Sequence, residues 1–90
     1  MTPHCKIYMK HFDLGMDDVW QCEACTVQRP INNGLEIHHI NGRGKGKDII
    51  HNLMCLCRKC HNLAHSSVNK ETMQTIHNYF LAGVRKTFLK

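Results

Sequence analysis

The sequence predicts a small α+β domain held together by metal, and three observations predict it. A 90-residue chain with 42% hydrophobic but only 7% aromatic residues has a thin apolar core, and chains of this size usually add a disulfide, a metal or a partner subunit. Six cysteines and eight histidines supply metal ligands in excess of what chance would give. LEIHHI at 35–40, a glycine-rich loop, a second apolar run and helical spacing from Arg58 follow one another in the order strand, strand, helix.

At the N-terminus, residues 3–20 are expected to be helical in part. Ile7, Met9, Phe12, Leu14, Met16, Val19 and Trp20 are apolar, Gly15 interrupts, and Asp17-Asp18 suits a helix N-terminus. QCEACTVQRPINNGLE reads as a cysteine knuckle followed by an Asn-Asn-Gly turn into a strand. LEIHHI is that strand, NGRGKGKD is a loop with three glycines among basic residues, and a second strand around Ile49–Leu56 closes a hairpin. A first helix starts at Arg58. After the Ser66-Ser67 break a second runs from about Asn69 to Phe88, with Met73, Ile76, Phe80, Val84 and Phe88 on one face and Gly83 weakening it without ending it. No repeat, low-complexity tract or linker divides residues 1–90, so one domain is expected.

Composition removes several function classes. The longest apolar stretches fall far below the roughly 20 residues of a membrane span. MTPHCKIYMKHFDLG has no continuous apolar segment of the kind a secretory signal needs. An intracellular, cytoplasmic setting is therefore expected. There thiols stay reduced, so the cysteines read as metal ligands rather than as a disulfide framework. Twelve Lys and Arg against seven Asp and Glu give +5 at pH 7, and two divalent ions would offset four thiolates, so the loaded protein also favours an anionic partner such as nucleic acid.

Cys22-Glu-Ala-Cys25 and Cys57-Arg-Lys-Cys60 are two C-x-x-C pairs with 31 residues between them. Together they complete the tetrahedral sulfur shell of a structural zinc. Redox C-x-x-C motifs come singly, in chains with a parallel-sheet pattern that this sequence lacks. Cys55 belongs to the apolar run LMCLC and is assigned to the core, and Cys5 has no partner spacing. A closed four-thiolate site leaves no open position, so any chemistry must sit elsewhere.

The histidines supply it. His61 and His65 are four apart on a helix and can reach one ion. His38 and His39 point to opposite faces of a regular strand, so one can join the ion while the other stays free. Neutral imidazoles leave open positions on a divalent ion, where a scissile phosphate could bind. A spare imidazole, with an ordinary pKa near 6.5, could take a proton from attacking water. A zinc peptidase would want a Glu beside its paired histidines, where this chain has Asn62. GRGKGK at 42–47 follows the paired histidines, and Arg43, Lys45 and Lys47 could each neutralise a DNA phosphate. Arg58, Lys59, Lys70, Arg85 and Lys86 extend the basic character. With no recognition helix or stacking pattern, backbone contacts are expected to dominate.

HHI at 38–40, Asn52 in HNL and CHNLAH at 60–65, framed by the C-x-x-C pairs, resemble the HNH or His-Me finger endonucleases in their zinc-ribbon branch over about residues 20–66. The resemblance implies a ββα-metal motif inserted in the four-cysteine zinc knuckle and flanked by N-terminal and C-terminal helices. By the same resemblance His39 is the general base, His38, His61 and His65 hold a catalytic Mg²⁺, Mn²⁺, Ni²⁺, Co²⁺ or Zn²⁺, and Asn52 either braces the loop or touches the metal. The third histidine favours bracing, and His51 is the competing polar contact. The implied activity is metal-dependent DNA hydrolysis, a nick in double-stranded DNA made by a monomer or weak dimer. The competing reading is a non-catalytic zinc-ribbon module that binds nucleic acid. His4, His11 and His77 have no such context and read as surface or satisfied residues.

Overall fold

The computed structural model describes residues 2–31 and 33–89. Its elements are α1 (Pro3–Phe12), β1 (Val19–Gln21), β2 (Gln28–Pro30), β3 (Leu35–His39), a 3-10 turn (Ile50–Asn52), β4 (Leu53–Cys57), α2 (Arg58–Ser66) and α3 (Lys70–Leu81). Among the described residues this is a small α+β fold with three helices and two antiparallel two-stranded sheets, β1-β2 and β3-β4.

The β3-β4 hairpin is the centre. Its register pairs Leu35 with Cys57 and His39 with Leu53, and all five residues of β4 are buried. A strand buried on both faces is sandwiched, and the alternation of β3 assigns the layers. Glu36 and His38 face α2, where both meet His61. His39 faces the other way and meets His4 of α1.

Two corrections concern the helices. The N-terminal helix stops at Phe12 because Asp13 turns left-handed (φ 54°) and the Leu14 N–H closes onto the Met9 carbonyl. Asp17-Asp18 start no helix. The Asp18 carboxylate instead accepts the Gly15 N–H at 2.6 Å, and Val19 and Trp20 open β1. The C-terminal helix ends at Leu81 rather than Phe88. Gly83 adopts φ 92° and its N–H bonds the Phe80 carbonyl, the left-handed exit that glycine provides. The tail then folds back, and Phe88 and Leu89 donate their N–H groups to the Ala24 carbonyl in the knuckle. Arg85 stacks its guanidinium 3.6 Å from the Phe80 ring centre. The Asn-Asn-Gly turn falls partly on Asn32, outside the described residues.

One buried carboxylate ties the layers together. Glu23, between the first two cysteines, is 1% exposed. It accepts the Tyr8 hydroxyl of α1 at 2.6 Å, His77 Nδ1 of α3 at 2.6 Å and the Cys55 N–H of β4 at 2.9 Å. His77 completes the network through Nε2, 2.7 Å from the Ile50 carbonyl. Bonding both a carboxylate and a carbonyl requires both ring nitrogens to donate, as an imidazolium does. Burial alone would lower the His77 pKa, but the hydrogen bond and charge of Glu23 and the Ile50 carbonyl outweigh it and hold the value above the ordinary range. His77 was expected to be a surface or satisfied residue, and it is a satisfied one.

Candidate metal and nuclease site

The knuckle residues converge from two directions. Cys22 and Cys25 lie in the turn between β1 and β2, which closes through Cys22 N–H to Val27 O and Thr26 N–H to Cys22 O. Cys57 ends β4 and caps α2, and Cys60 lies one turn into that helix. All four sulfurs lie within 4.8 Å of one another, and Cys25 Sγ is 3.7 Å from Cys57 Sγ. Sulfurs bound to one tetrahedral zinc at about 2.3 Å are about 3.8 Å apart, so the donor set fits that ion. Burial pushes the Cys22 thiol up to about 11 and raises Cys60 as well. Burial resists ionisation of Cys22 and Cys60, and a divalent cation would stabilise the thiolates of this cluster. Cys55 is buried and outside the cluster, as its apolar run predicts, and Cys5 is half-buried on α1.

The second cluster begins one residue further along α2. His61 and His65, one turn apart, bring their Nε2 atoms to 3.1 Å. His38 meets both across the hairpin, with ring centres 4.9 and 5.1 Å away, and one nitrogen from each of the three lies within 4.8 Å of the others. Imidazole nitrogens on one zinc at about 2.0–2.1 Å would be about 3.3 Å apart, so these rings also fit a divalent ion. Glu36 Oε1 lies 3.3 Å from His61 Nδ1, a carboxylate in the position that fixes a ligating imidazole's tautomer. Burial and the neighbouring His61, His65 and His39 push the His38 pKa down to about 4. Its ring is neutral, with a lone pair to offer, throughout the physiological range.

His39 keeps different company. Its Nε2 lies 2.8 Å from Asp48 Oδ1, and the His4 ring stands edge-on at 4.7 Å. Despite this, His38, His39, Gly42, Arg43, His61 and His65 line one cleft. The paired histidines diverge in partner while remaining at one opening, because β3 ends at His39 and the chain turns there.

Asn52 is buried and fully engaged with backbone. Its Oδ1 accepts the Asn41 N–H at 2.7 Å, and its Nδ2 donates to the Gly42 carbonyl at 3.1 Å and the Lys47 carbonyl at 2.9 Å. These bonds tie both ends of the glycine-rich loop to the hairpin. His51, its competitor from sequence, is exposed and lines a separate groove with Lys45, Lys47, Asn41 and Gln74. The three loop cations therefore divide, Arg43 at the histidine cleft and Lys45 and Lys47 at its neighbour.

Sequence reasoning passed over Asp48 and His4. Asp48 ends the NGRGKGKD loop, nine residues after His39, and no spacing rule links the two. His4 shares a helix face with Tyr8, four residues on, and the docking of Tyr8 onto Glu23 carries His4 to His39. Reading His4 as lacking context missed a neighbour that only the packing of α1 supplies.

The HNH endonuclease family model matches residues 22–67, just over half of the chain and the stretch that holds both clusters. No curated protein and no solved structure matches the chain. The chain belongs to the HNH endonuclease family.

Proposed function

We propose that the protein is a metal-dependent endonuclease that hydrolyses phosphodiester bonds in double-stranded DNA, nicking one strand at a time as a monomer or weak dimer. The observation that carries this reading is the placement of a carboxylate-paired histidine, His39, at the same cleft as three convergent imidazoles. His38, His61 and His65 would hold a divalent ion. Such an ion would supply Lewis-acid stabilisation of the charge that develops on the phosphate and on the departing oxygen.

In the neutral tautomer that donates Nε2–H to Asp48, His39 would have Nδ1 free to accept a proton from an attacking water. Asp48 also stabilises the imidazolium that results. As the water oxygen bonds to phosphorus, the P–O bond to the leaving oxygen breaks, and His39 Nδ1 keeps the proton. Arg43, at the cleft, and Lys45 and Lys47 beside it would neutralise neighbouring phosphates, and Asn52 holds the loop that carries them. The four cysteines and their zinc would fix β4 against α2. We place this activity inside the cell, where the thiolates would remain reduced.

The test is supercoiled plasmid incubated with zinc-replete protein and, in turn, Mg²⁺, Mn²⁺, Co²⁺ and Ni²⁺. The expected product is relaxed circles that accumulate before linear DNA. A non-catalytic binding module would instead retain one zinc per chain, bind DNA and leave the plasmid supercoiled with every ion.

A further inference from the structure

We propose that His4, His39 and Asp48 form a further metal site, and that Zn²⁺ bound there takes His39 out of use as a base. The three residues come from α1, the end of β3 and the loop beyond it, and each places one ligand atom within 4.8 Å of the others. Two imidazoles and one carboxylate are a donor set that zinc and other first-row divalent ions accept with open positions to spare. His39 Nε2 and Asp48 Oδ1 are already 2.8 Å apart. The His4 ring is 4.7 Å from the His39 ring, and Thr2 Oγ1, 3.1 Å from His4 Nε2, helps to orient it.

The two uses of His39 exclude each other through one proton. When Nε2–H bonds Asp48, Nδ1 carries the lone pair that can accept a proton. A metal on Nε2 needs that nitrogen's lone pair, so the proton of the neutral ring moves to Nδ1, which then has nothing to accept with. No charge is lost or gained in that shift, only the basic atom. The site offers a single carboxylate and lies within electrostatic range of Arg43, so it is weaker than the sulfur site and fills only when zinc is in excess.

The inhibitory consequence rests on the base role proposed for His39, whereas the metal site itself does not, and the experiment separates them. Zinc-replete wild type, His4→Ala and His4→Gln are compared in two measurements, the number of Zn²⁺ bound per chain at saturation and plasmid nicking in Mg²⁺ or Mn²⁺ as Zn²⁺ is added. Thermal unfolding establishes that both variants are folded. Wild type should bind one more ion than either variant. The Zn²⁺ concentration that halves nicking should rise by about tenfold or more in both variants, the order expected for a lost metal-site partner, with nicking before zinc addition unchanged. Equal stoichiometry in the three proteins would overturn the site. An extra ion lost in the variants with no change in zinc inhibition would overturn the inhibitory role. An extra wild-type ion in a protein that leaves the plasmid supercoiled with every metal tried would uphold the site and overturn the nuclease reading instead.

Discussion

Cys60 and His61 are adjacent on α2, yet they belong to clusters built on opposite rules. Cys60 is fully buried and joins three other sulfurs, of which Cys22 and Cys57 are also buried. His61 is half-buried, and its partners run from buried His38 to exposed His65 along the wall of a cleft. A buried all-sulfur shell would bind an ion permanently and stiffen the chain. A cleft lined by imidazoles holds its ion with vacancies and lets substrate approach. One helix serves both because rotation by one residue, about 100°, turns the side chain from the knuckle to the cleft. With chemistry at the histidines, folding and chemistry would be adjacent in sequence and separable by mutation.

Removing zinc from the sulfur cluster should have the largest effect. Structural zinc sites bind with apparent free energies of about 10–16 kcal/mol, against a typical whole-domain stability of about 5–15 kcal/mol. A strong chelator, or Cys60→Ser, should therefore abolish the cooperative thermal transition followed by circular dichroism, and nicking with it. A domain that melts normally without zinc would show that the sulfur cluster is not its staple.

Glu23 comes next in size. Replacing it with Ala leaves His77 buried and unpaired, and breaking a buried pair costs about 3–5 kcal/mol. Urea unfolding should show that loss while zinc content is unchanged. His61→Ala tests the other side of the comparison. It should weaken binding of the catalytic ion by more than the roughly 10- to 100-fold that loss of an outer-shell partner costs, measured by metal titration of nicking, with the melting temperature and the zinc of the knuckle unaffected. Coupled loss of both metals would mean that the two clusters are not separable.

Smaller effects sharpen the picture further. Replacing Arg43, Lys45 and Lys47 together with Ala should reduce the slope of log affinity for DNA against log salt by about 0.9 per cation lost, read by fluorescence anisotropy. The least effect is that of pH on stability through His77. Its pKa is raised in the fold, so its contribution is complete below the ordinary value near 6.5 and fades as pH rises through the raised value. A His77→Gln variant should lose that slope in urea unfolding followed from pH 6 upward.

Much of this was legible in the sequence, and what was not has identifiable causes. The two C-x-x-C pairs, the strand at 35–39 and the helix from Arg58 follow from ligand spacing and from the change in periodicity, both local signals. The sequence predicts a C-terminal helix to Phe88 because Val84 and Phe88 continue the apolar face of Met73, Ile76 and Phe80. Helix propensity at Gly83 does not reveal its left-handed exit, and Phe88 instead packs against the core in the returning tail. Asp48, His4 and Glu23 escaped because their partners are chosen by tertiary packing. Glu23 in particular lies inside a metal motif, while its partners Tyr8 and His77 are 15 and 54 residues away.

His39 is proposed as a base beside a separately stabilised metal knuckle. The most direct test of that role is the rate of plasmid nicking by His39→Ala, with zinc content and melting temperature matched to wild type. A loss of about 10²- to 10⁴-fold is expected, the usual contribution of general-base catalysis, and equal rates in the two proteins would show that His39 is not the base.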